Sequence, residues 1–289
     1  VTILRSEAGW IGGKAFDWAF NVGTKRAALM EAGEPVSAGL ALQHKLADMF
    51  VLSNLRRMLG LSRARRVTSG AAPISPELIR WFYALGTPLI EGYGMTEGSG
   101  VTTINAPDDN VIGTVGKILP GMELRISEEG EIQYNGPAVF AGYWKKPEKT
   151  AEPFTEDGWL RTGDLGVVDA EGYVTILDRK KNIIIRGGEN IACLDVEGAL
   201  HQHPDVLEAV VFSVPDERLG EIVGAAVQLR EGASITRDAM LAFLDGHLAK
   251  YKLPAHLWAQ HDALPRAATD KSDRRTIRAA CLDNREATV

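Results

Sequence analysis

Apolar residues at Ala15, Phe16, Trp18, Ala19 and Val22, then at Ala27 to Met30, recur at helical spacing and stop at Gly33-Glu-Pro35. That pattern predicts an opening helix. A second helical pattern runs from about Leu40 to Leu59, with Leu42, Leu46, Met49, Phe50, Leu52 and Leu55 on one side. The texture then shortens. Arg66-Val-Thr-Ser-Gly-Ala-Ala-Pro73 reads as a strand ending in a small-residue turn. Ser75 and Pro76 supply an N-cap and a first helical position for a helix reaching about Tyr83. Thr87-Pro-Leu-Ile90 reads as a buried strand that breaks at Glu91-Gly-Tyr-Gly-Met-Thr-Glu97 into a glycine-rich turn. Strand, helix and strand imply a parallel pair. Its carboxyl ends carry two glycine-containing turns, the place where α/β sheets bind ligands.

From Val111 onward short strands and turns take over. Met122 to Ile126 and Glu131 to Tyr134 flank Glu128-Glu-Gly130 as a hairpin, and Trp159-Leu-Arg-Thr-Gly-Asp164 is a strand meeting a Gly-Asp turn. After the polar run Asp178-Arg-Lys-Lys-Asn182 the pattern restarts. A second glycine turn at Arg186-Gly-Gly-Glu-Asn-Ile191 precedes a helix around Asp195 to His201. Strands at Val206–Val214 and Ile222–Leu229 and a helix at Arg237–Leu248 follow. The charged segment near Asp178 is the domain boundary, giving units 1–178 and 179–289.

At 289 residues the chain holds more than one folding unit, and its net charge of −6 argues against nucleic acid as the main partner. Cys193 and Cys281 make no disulfide framework, and Cys193 reads as a small packed hydrophobe. The basic cluster Arg56, Arg57, Arg63, Arg65 and Arg66 reads as a solvated face. His201 and His203 have no third metal ligand in view and read as a helix-end pair. No apolar run approaches the roughly 20 residues of a membrane span, and the first eight residues lack the order of a signal peptide. The expected location is cytoplasmic.

Thr96 places a hydroxyl and Glu97 a carboxylate beside the glycines, the groups a phosphate and Mg²⁺ require. Asp164 is open to two readings, a surface turn residue or a carboxylate that accepts ribose hydroxyls. Small residues at Ser69, Gly70 and Ala71 admit a flat ring close to the backbone.

Seven stretches then occur in one order: Val67 to Pro73, Glu91 to Glu97, Gly142-Tyr143, Arg161 to Asp164, Asp178 to Lys181, Arg186 to Ile191, and Leu264-Pro-Arg266 with Lys271. Together they resemble the adenylate-forming (AMP-binding) superfamily, and within it the long-chain fatty-acyl-CoA synthetases. The resemblance implies an α/β fold, here the C-terminal part of a large α/β domain with a β-rich section, followed by a small mobile α+β domain. It implies a long-chain fatty acid–CoA ligase that uses ATP, releases AMP, requires Mg²⁺ and takes CoA as co-substrate. Ser69, Gly70 and Ala71 would line the adenine and Tyr93 would stack on it, with Glu91, Gly92 and Gly94 completing that wall. Thr96 would bind phosphate, Glu97 the Mg²⁺, and Asp164 the ribose with Arg179 nearby. Lys181 would be the hinge. Lys271 would reach the reacting oxygens during adenylation, as the catalytic partner of Thr96 and Glu97.

Two departures accompany the resemblance. The family's Ser/Thr/Gly-rich phosphate loop is absent, which predicts weak or no synthetase activity from this chain alone. Asp270 stands where glycine usually precedes the lysine, so it could pair with Lys271. Two other functions stay open: a fatty-acyl-AMP ligase that loads a carrier protein, and a non-catalytic remnant that binds an AMP-like ligand or a partner chain. Peripheral membrane contact, a complementary N-terminal chain and a homo-oligomer also stay open.

Overall fold

The computed structural model describes residues 9–72, 74–268 and 271–284, with side chains from residue 12 onward. Expectations resting on the first eight residues, on Pro73 and on Asp270 beside Lys271 lie outside the described residues. The architecture is mixed α/β, and the chain divides into two compact units. The first falls within Val1–Arg125, Tyr134–Leu160 and Val168–Thr175. The second falls within Ile126–Gln133, Arg161–Val167 and Ile176–Val289.

In the first unit α1 (Gly9–Glu31) precedes α2 (Ala38–Ala47), which Ser37 caps by accepting the Leu40 N–H. A π-helical turn, Asp48–Leu52, joins α2 directly to α3 (Ser53–Met58). That turn changes which residues pack. Ala47, Leu52 and Leu55 enter a core with Phe16, Ala19, Val22 and Leu85. Leu42, Leu46, Met49 and Phe50, expected on the same side, are 40–64% exposed. The extra residue of a π turn advances the helical phase, so the stripe read at 3.6-residue spacing splits. Arg56, expected in a solvated cluster, is instead tied to Asp48 at 2.6 Å and to the Leu85 carbonyl at 2.8 Å.

Next come β1 (Val67–Ser69), α4 (Pro76–Ala84), β2 (Leu89–Met95), β3 (Gly100–Ile104) and β4 (Lys117–Ile118), and the four strands form a sheet in numerical order. β1 and β2 are parallel, and β2–β3 and β3–β4 antiparallel. Ser75 caps α4 at the Leu78 N–H, as its position before Pro76 predicts. The glycines after Ile90 do not break the strand: β2 runs on to Met95. Glycine permits this because β3 lies so close. A Cβ on Gly94 would fall 1.7 Å from the Gly100 carbonyl oxygen.

β5 (Glu123–Ile126), β6 (Glu131–Asn135), β7 (Leu160–Val168) and β8 (Val174–Arg179) form a second sheet, again in numerical order, and the short α5 (Pro147–Ala151) lies between β6 and β7. The expected β5–β6 hairpin closes through the Ser127 N–H on the Glu131 carbonyl. The Gly163-Asp164 pair is not a turn. It lies inside β7, with Gly163 at φ +73°, a conformation glycine adopts freely.

The second unit contains β9 (Ile184–Arg186), β10 (Glu189–Ile191), α6 (Cys193–His201), β11 (Val206–Asp216) and β12 (Gly220–Leu229). It continues with α7 (Arg237–Leu244), β13 (His256–Gln260) and α8 (Arg274–Asp283). The sheet order is β10-β9-β12-β11, with β13 parallel to β12. β13 and α8 have no counterpart in the sequence reading, and α7 ends four residues earlier than its pattern suggests. Both faces of the sheet are covered. Val206, Ala209 and Val211 pack with Val196, Leu200, Met240 and Leu244, whereas Val210, Phe212 and Val214 pack with Trp258, Leu264 and Ile277. Asp178, read as part of a charged run, is 1% exposed. Its carboxylate accepts N–H groups from Arg179 and Leu194, so it caps the start of α6 from another segment. His201 Nδ1 meets the Glu197 carbonyl, and His203 packs edge-on against Phe243. Cys193 is buried in the core, and burial pushes its thiol well above the usual range.

Candidate active site

In the first unit the site is built by the parallel pairing of β1 and β2. Its register sets Ser69 opposite Glu91, so the turn after β1 and the second half of β2 run side by side. The approach is close, since a Cβ on Gly70 would fall 3.0 Å from the Gly92 carbonyl oxygen. Ala71 then adopts φ +68°, a left-handed conformation that costs a non-glycine residue about 1 kcal/mol. Ser69 is half-buried, and Gly70 and Ala71 are exposed. Glu91 is half-buried as well. Burial pushes its carboxyl up to about 7, opposed by a hydrogen bond from the Ile74 backbone. That bond ties the turn after β1 to β2.

Beyond Glu91, Tyr93 pairs with Thr103 and Gly94 with Val101, with a register shift between them. Such a shift re-aims side chains at a strand end. Thr96 opens a single 3₁₀ turn, Thr96–Gly98, and is exposed. Gly98 is required there, because a Cβ would lie 2.7 Å from the Tyr134 hydroxyl oxygen. Glu97 is fixed at both ends. Its carbonyl accepts the Phe140 N–H at 2.7 Å, and its Oε1 accepts the Tyr143 hydroxyl. Tyr143, from the Gly142-Tyr143 stretch, is thus a site residue to which the sequence alone assigned no role.

In the second unit Asp164 is buried within β7 and lies 3.2 Å from Arg179 Nε at the end of β8. The Gly163 N–H donates to Glu131 Oε1 at 2.9 Å, and Lys180 Nζ approaches Glu131 Oε2 at 3.4 Å. Nothing in the sequence singled out Glu131, a charge inside a strand. Lys181 is exposed in the 3₁₀ turn Lys180–Asn182. Lys271 stands on a different segment, the turn before α8, and is exposed; its carbonyl accepts the Ala267 N–H at 2.8 Å.

The first unit therefore brings together Ser69, Gly70, Ala71, Glu91, Gly92, Tyr93, Gly94, Thr96 and Glu97. The second joins Asp164 to Arg179 and carries Lys271 elsewhere. Among the described residues no helix is long and apolar enough to cross a membrane, and no three metal-ligating side chains cluster. A lone carboxylate beside a hydroxyl still suits Mg²⁺, which binds one or two carboxylates and completes its shell with substrate phosphates and water.

The chain matches the model of the AMP-binding enzyme family over residues 22–144, and that of the AMP-binding enzyme C-terminal domain over residues 195–271. A long-chain-fatty-acid–CoA ligase of Mycobacterium bovis is 40% identical over 205 residues, which is 70% of this chain and 34% of that protein. The ATP-bound crystal structure of MatB from Rhodopseudomonas palustris aligns with a TM-score of 0.70 at 38% identity, covering 76% of this chain and 46% of that one. The o-succinylbenzoate CoA synthetase of Bacillus subtilis, in complex with its acyl-adenylate, aligns with a TM-score of 0.69 at 32% identity, covering 78% and 49%. The chain thus spans about a third of the length of the curated relative and under half of each solved structure. With both family models matched in order on a mixed α/β fold, the chain belongs to the AMP-binding, adenylate-forming enzyme family.

Proposed function

We propose that the chain serves acid–thiol ligation through an acyl-adenylate, with ATP, CoA and a long-chain fatty acid as substrates. The observation that carries this reading is the paired end of β1 and β2, where an open small-residue turn lies beside Gly92 and the same strand runs on into a Thr96-Glu97 turn whose carboxylate is already oriented by Tyr143. In this reading the exposed Ser69–Ala71 backbone and Tyr93 take the adenine, Glu91, Gly92 and Gly94 form the strand behind it, and Asp164, held by Arg179, accepts the ribose hydroxyls. Thr96 orients phosphate, and Glu97 with Thr96 would hold Mg²⁺. A bound Mg²⁺ supplies positive charge against the phosphate oxygens. Lys271 adds a second positive charge as the carboxylate attacks the α-phosphorus and pyrophosphate leaves, so the protein contributes positioning and electrostatics rather than covalent chemistry. Lys181, in the 3₁₀ turn Lys180–Asn182, is in this reading the hinge that exchanges Lys271 for the Gly187-Gly188 face before thiol attack.

The test is binding of AMP and of a non-hydrolysable fatty-acyl-adenylate analogue to the purified chain by calorimetry. Both are expected to bind, and Asp164→Ala and Tyr93→Ala are expected to weaken AMP at least tenfold. Absence of binding to the wild-type chain would overturn the reading. Replacing the long-chain analogue with short-chain and aromatic ones then tests the substrate class. A second reading, a chain that engages a partner, draws on the exposed Leu42, Leu46, Met49 and Phe50. Sedimentation of the chain as a monomer at all concentrations would count against it.

A further inference from the structure

We propose that Glu208 is the positioning residue for Lys271. The inference rests on the reading of Lys271 as the adenylation lysine, but its structural half stands independently of it. β11 and β12 pair regularly from Glu208–Gln228 onward, whereas Val206 pairs with Leu229, so Leu207 is the extra residue of a β-bulge. The bulge reverses the side-chain alternation. Val206, Ala209 and Val211 share the face packed by α6 and α7. In an unbroken strand Glu208 would share Val206's face and enter that apolar core. With the bulge it joins Val210, Phe212 and Val214 on the opposite face, beside Leu264 and α8. A bulge that redirects one side chain is a recurrent device next to functional positions.

Glu208 joins the two segments that flank the lysine turn. Its Oε2 accepts from Arg266 Nη2 at 2.9 Å, and its Oε1 accepts from the Ser272 hydroxyl at 2.6 Å. Arg266 and Ser272 face each other as an antiparallel bridge. Inside that bridge the Ala267 N–H donates to the Lys271 carbonyl at 2.8 Å, and outside it the Asp273 N–H donates to the Pro265 carbonyl at 2.8 Å. The Glu208 side chain is 16% exposed against 46% for Arg266, so the carboxylate is the fixed partner and the loop the fastened one. A lysine on a four-carbon stem needs such a base, because its own side chain supplies little orientation.

The test is amide hydrogen exchange of the intact chain by NMR, with Lys271→Ala measured in parallel. In Glu208→Ala the Ala267 and Asp273 amides should exchange roughly tenfold faster, as expected when a charge-assisted bond is lost. The β11–β12 ladder should keep its protection. Glu208→Gln, whose carbonyl can still accept from Ser272, should fall between. Unchanged exchange at Ala267 in Glu208→Ala overturns the proposal. If Glu208→Ala also opens the ladder, the Arg266→Gln/Ser272→Ala pair leaves β11 untouched and must show the same loop-confined loss, or the proposal fails.

The functional half is read in an enzyme reconstituted with a phosphate-loop segment, as adenylate formation against thioester formation from supplied acyl-adenylate. Glu208→Ala should reduce the first roughly tenfold, in parallel with Lys271→Ala, and spare the second. Loss of both half-reactions alike refutes a positioning role. If Lys271→Ala is silent while Ala267 exchange responds to Glu208→Ala, the clamp stands and the catalytic reading of Lys271 falls.

Discussion

Replacing Arg274 with methionine isolates the buried ion pair of the second unit. Arg274 opens α8, and its Nη2 lies 2.6 Å from Glu197 Oε1, the two side chains being 26% and 12% exposed. The same Glu197 oxygen accepts the Val211 N–H at 2.8 Å. At that separation, with an effective dielectric near 20, the pair attracts by about 6 kcal/mol before desolvation is counted. Desolvation offsets much of that in the intact pair. Removing one partner leaves the other charge buried, which costs about 3–5 kcal/mol. Methionine preserves most of the stem volume, so the loss reports charge rather than packing.

The pH dependence gives the check. Burial raises the Glu197 carboxyl above its ordinary value and Arg274 opposes that rise. Without Arg274 the folded-state pKa climbs further. A raised acid binds its proton more tightly in the folded state than in the unfolded one. Its contribution is therefore most favourable below the unfolded value near 4.5, and stability falls as pH rises through the folded value. The deficit of Arg274→Met should be largest at pH 8 and shrink toward pH 5. Urea titrations followed through β11 and β12 amide signals measure it. A deficit constant across that range would refute the reasoning. So would a Glu197→Gln/Arg274→Met double variant as unstable as the single one, since the charge to be compensated would be gone.

Three further outcomes are expected. Gly94→Ala puts a methyl 1.7 Å from the Gly100 carbonyl oxygen and should cost at least about 3 kcal/mol in urea unfolding, by forcing β2 and β3 apart. Glu91, whose carboxyl burial raises to about 7, should make the wild type lose stability as pH rises from about 4.5 through 7. Glu91→Gln should flatten that slope by about 1–2 kcal/mol once solvent screening is allowed for, as seen in melts across that range. Tyr143→Phe keeps the edge contact with Phe140 but removes the hydroxyl on Glu97. Calorimetry should show roughly tenfold weaker binding of Mg²⁺–nucleotide with little change in melting temperature.

Local signals carried the elements that short-range physics decides. Ser75-Pro76 marked the start of α4, apolar runs marked β11 and β12, and Gly187-Gly188 marked the tight connection between β9 and β10. They failed where a distant segment sets the conformation. Glu91 to Met95 looks like a turn because of its glycines, yet those glycines are there to let β3 approach. Gly163-Asp164 likewise looked like a turn and lies within β7. β13 escaped notice because its five residues become a strand only by lying parallel to β12.

The site divides the same way. The types and order of Ser69, Thr96, Glu97, Asp164 and Lys271, the candidate site of the proposed adenylate chemistry, were legible in the sequence as hydroxyls, carboxylates and a lysine at particular places along the chain. The groups that orient them were not. Tyr143 reaches Glu97 across 46 residues, and Glu208 reaches Ser272 across 64. Residue identity and periodicity are written locally, so the sequence by itself determined the family, many of the helical and strand segments and the chemical inventory. Which side chain steadies which depends on pairing register, and one extra residue at Leu207 or in the π turn changes that register. Only the tertiary structure could decide it.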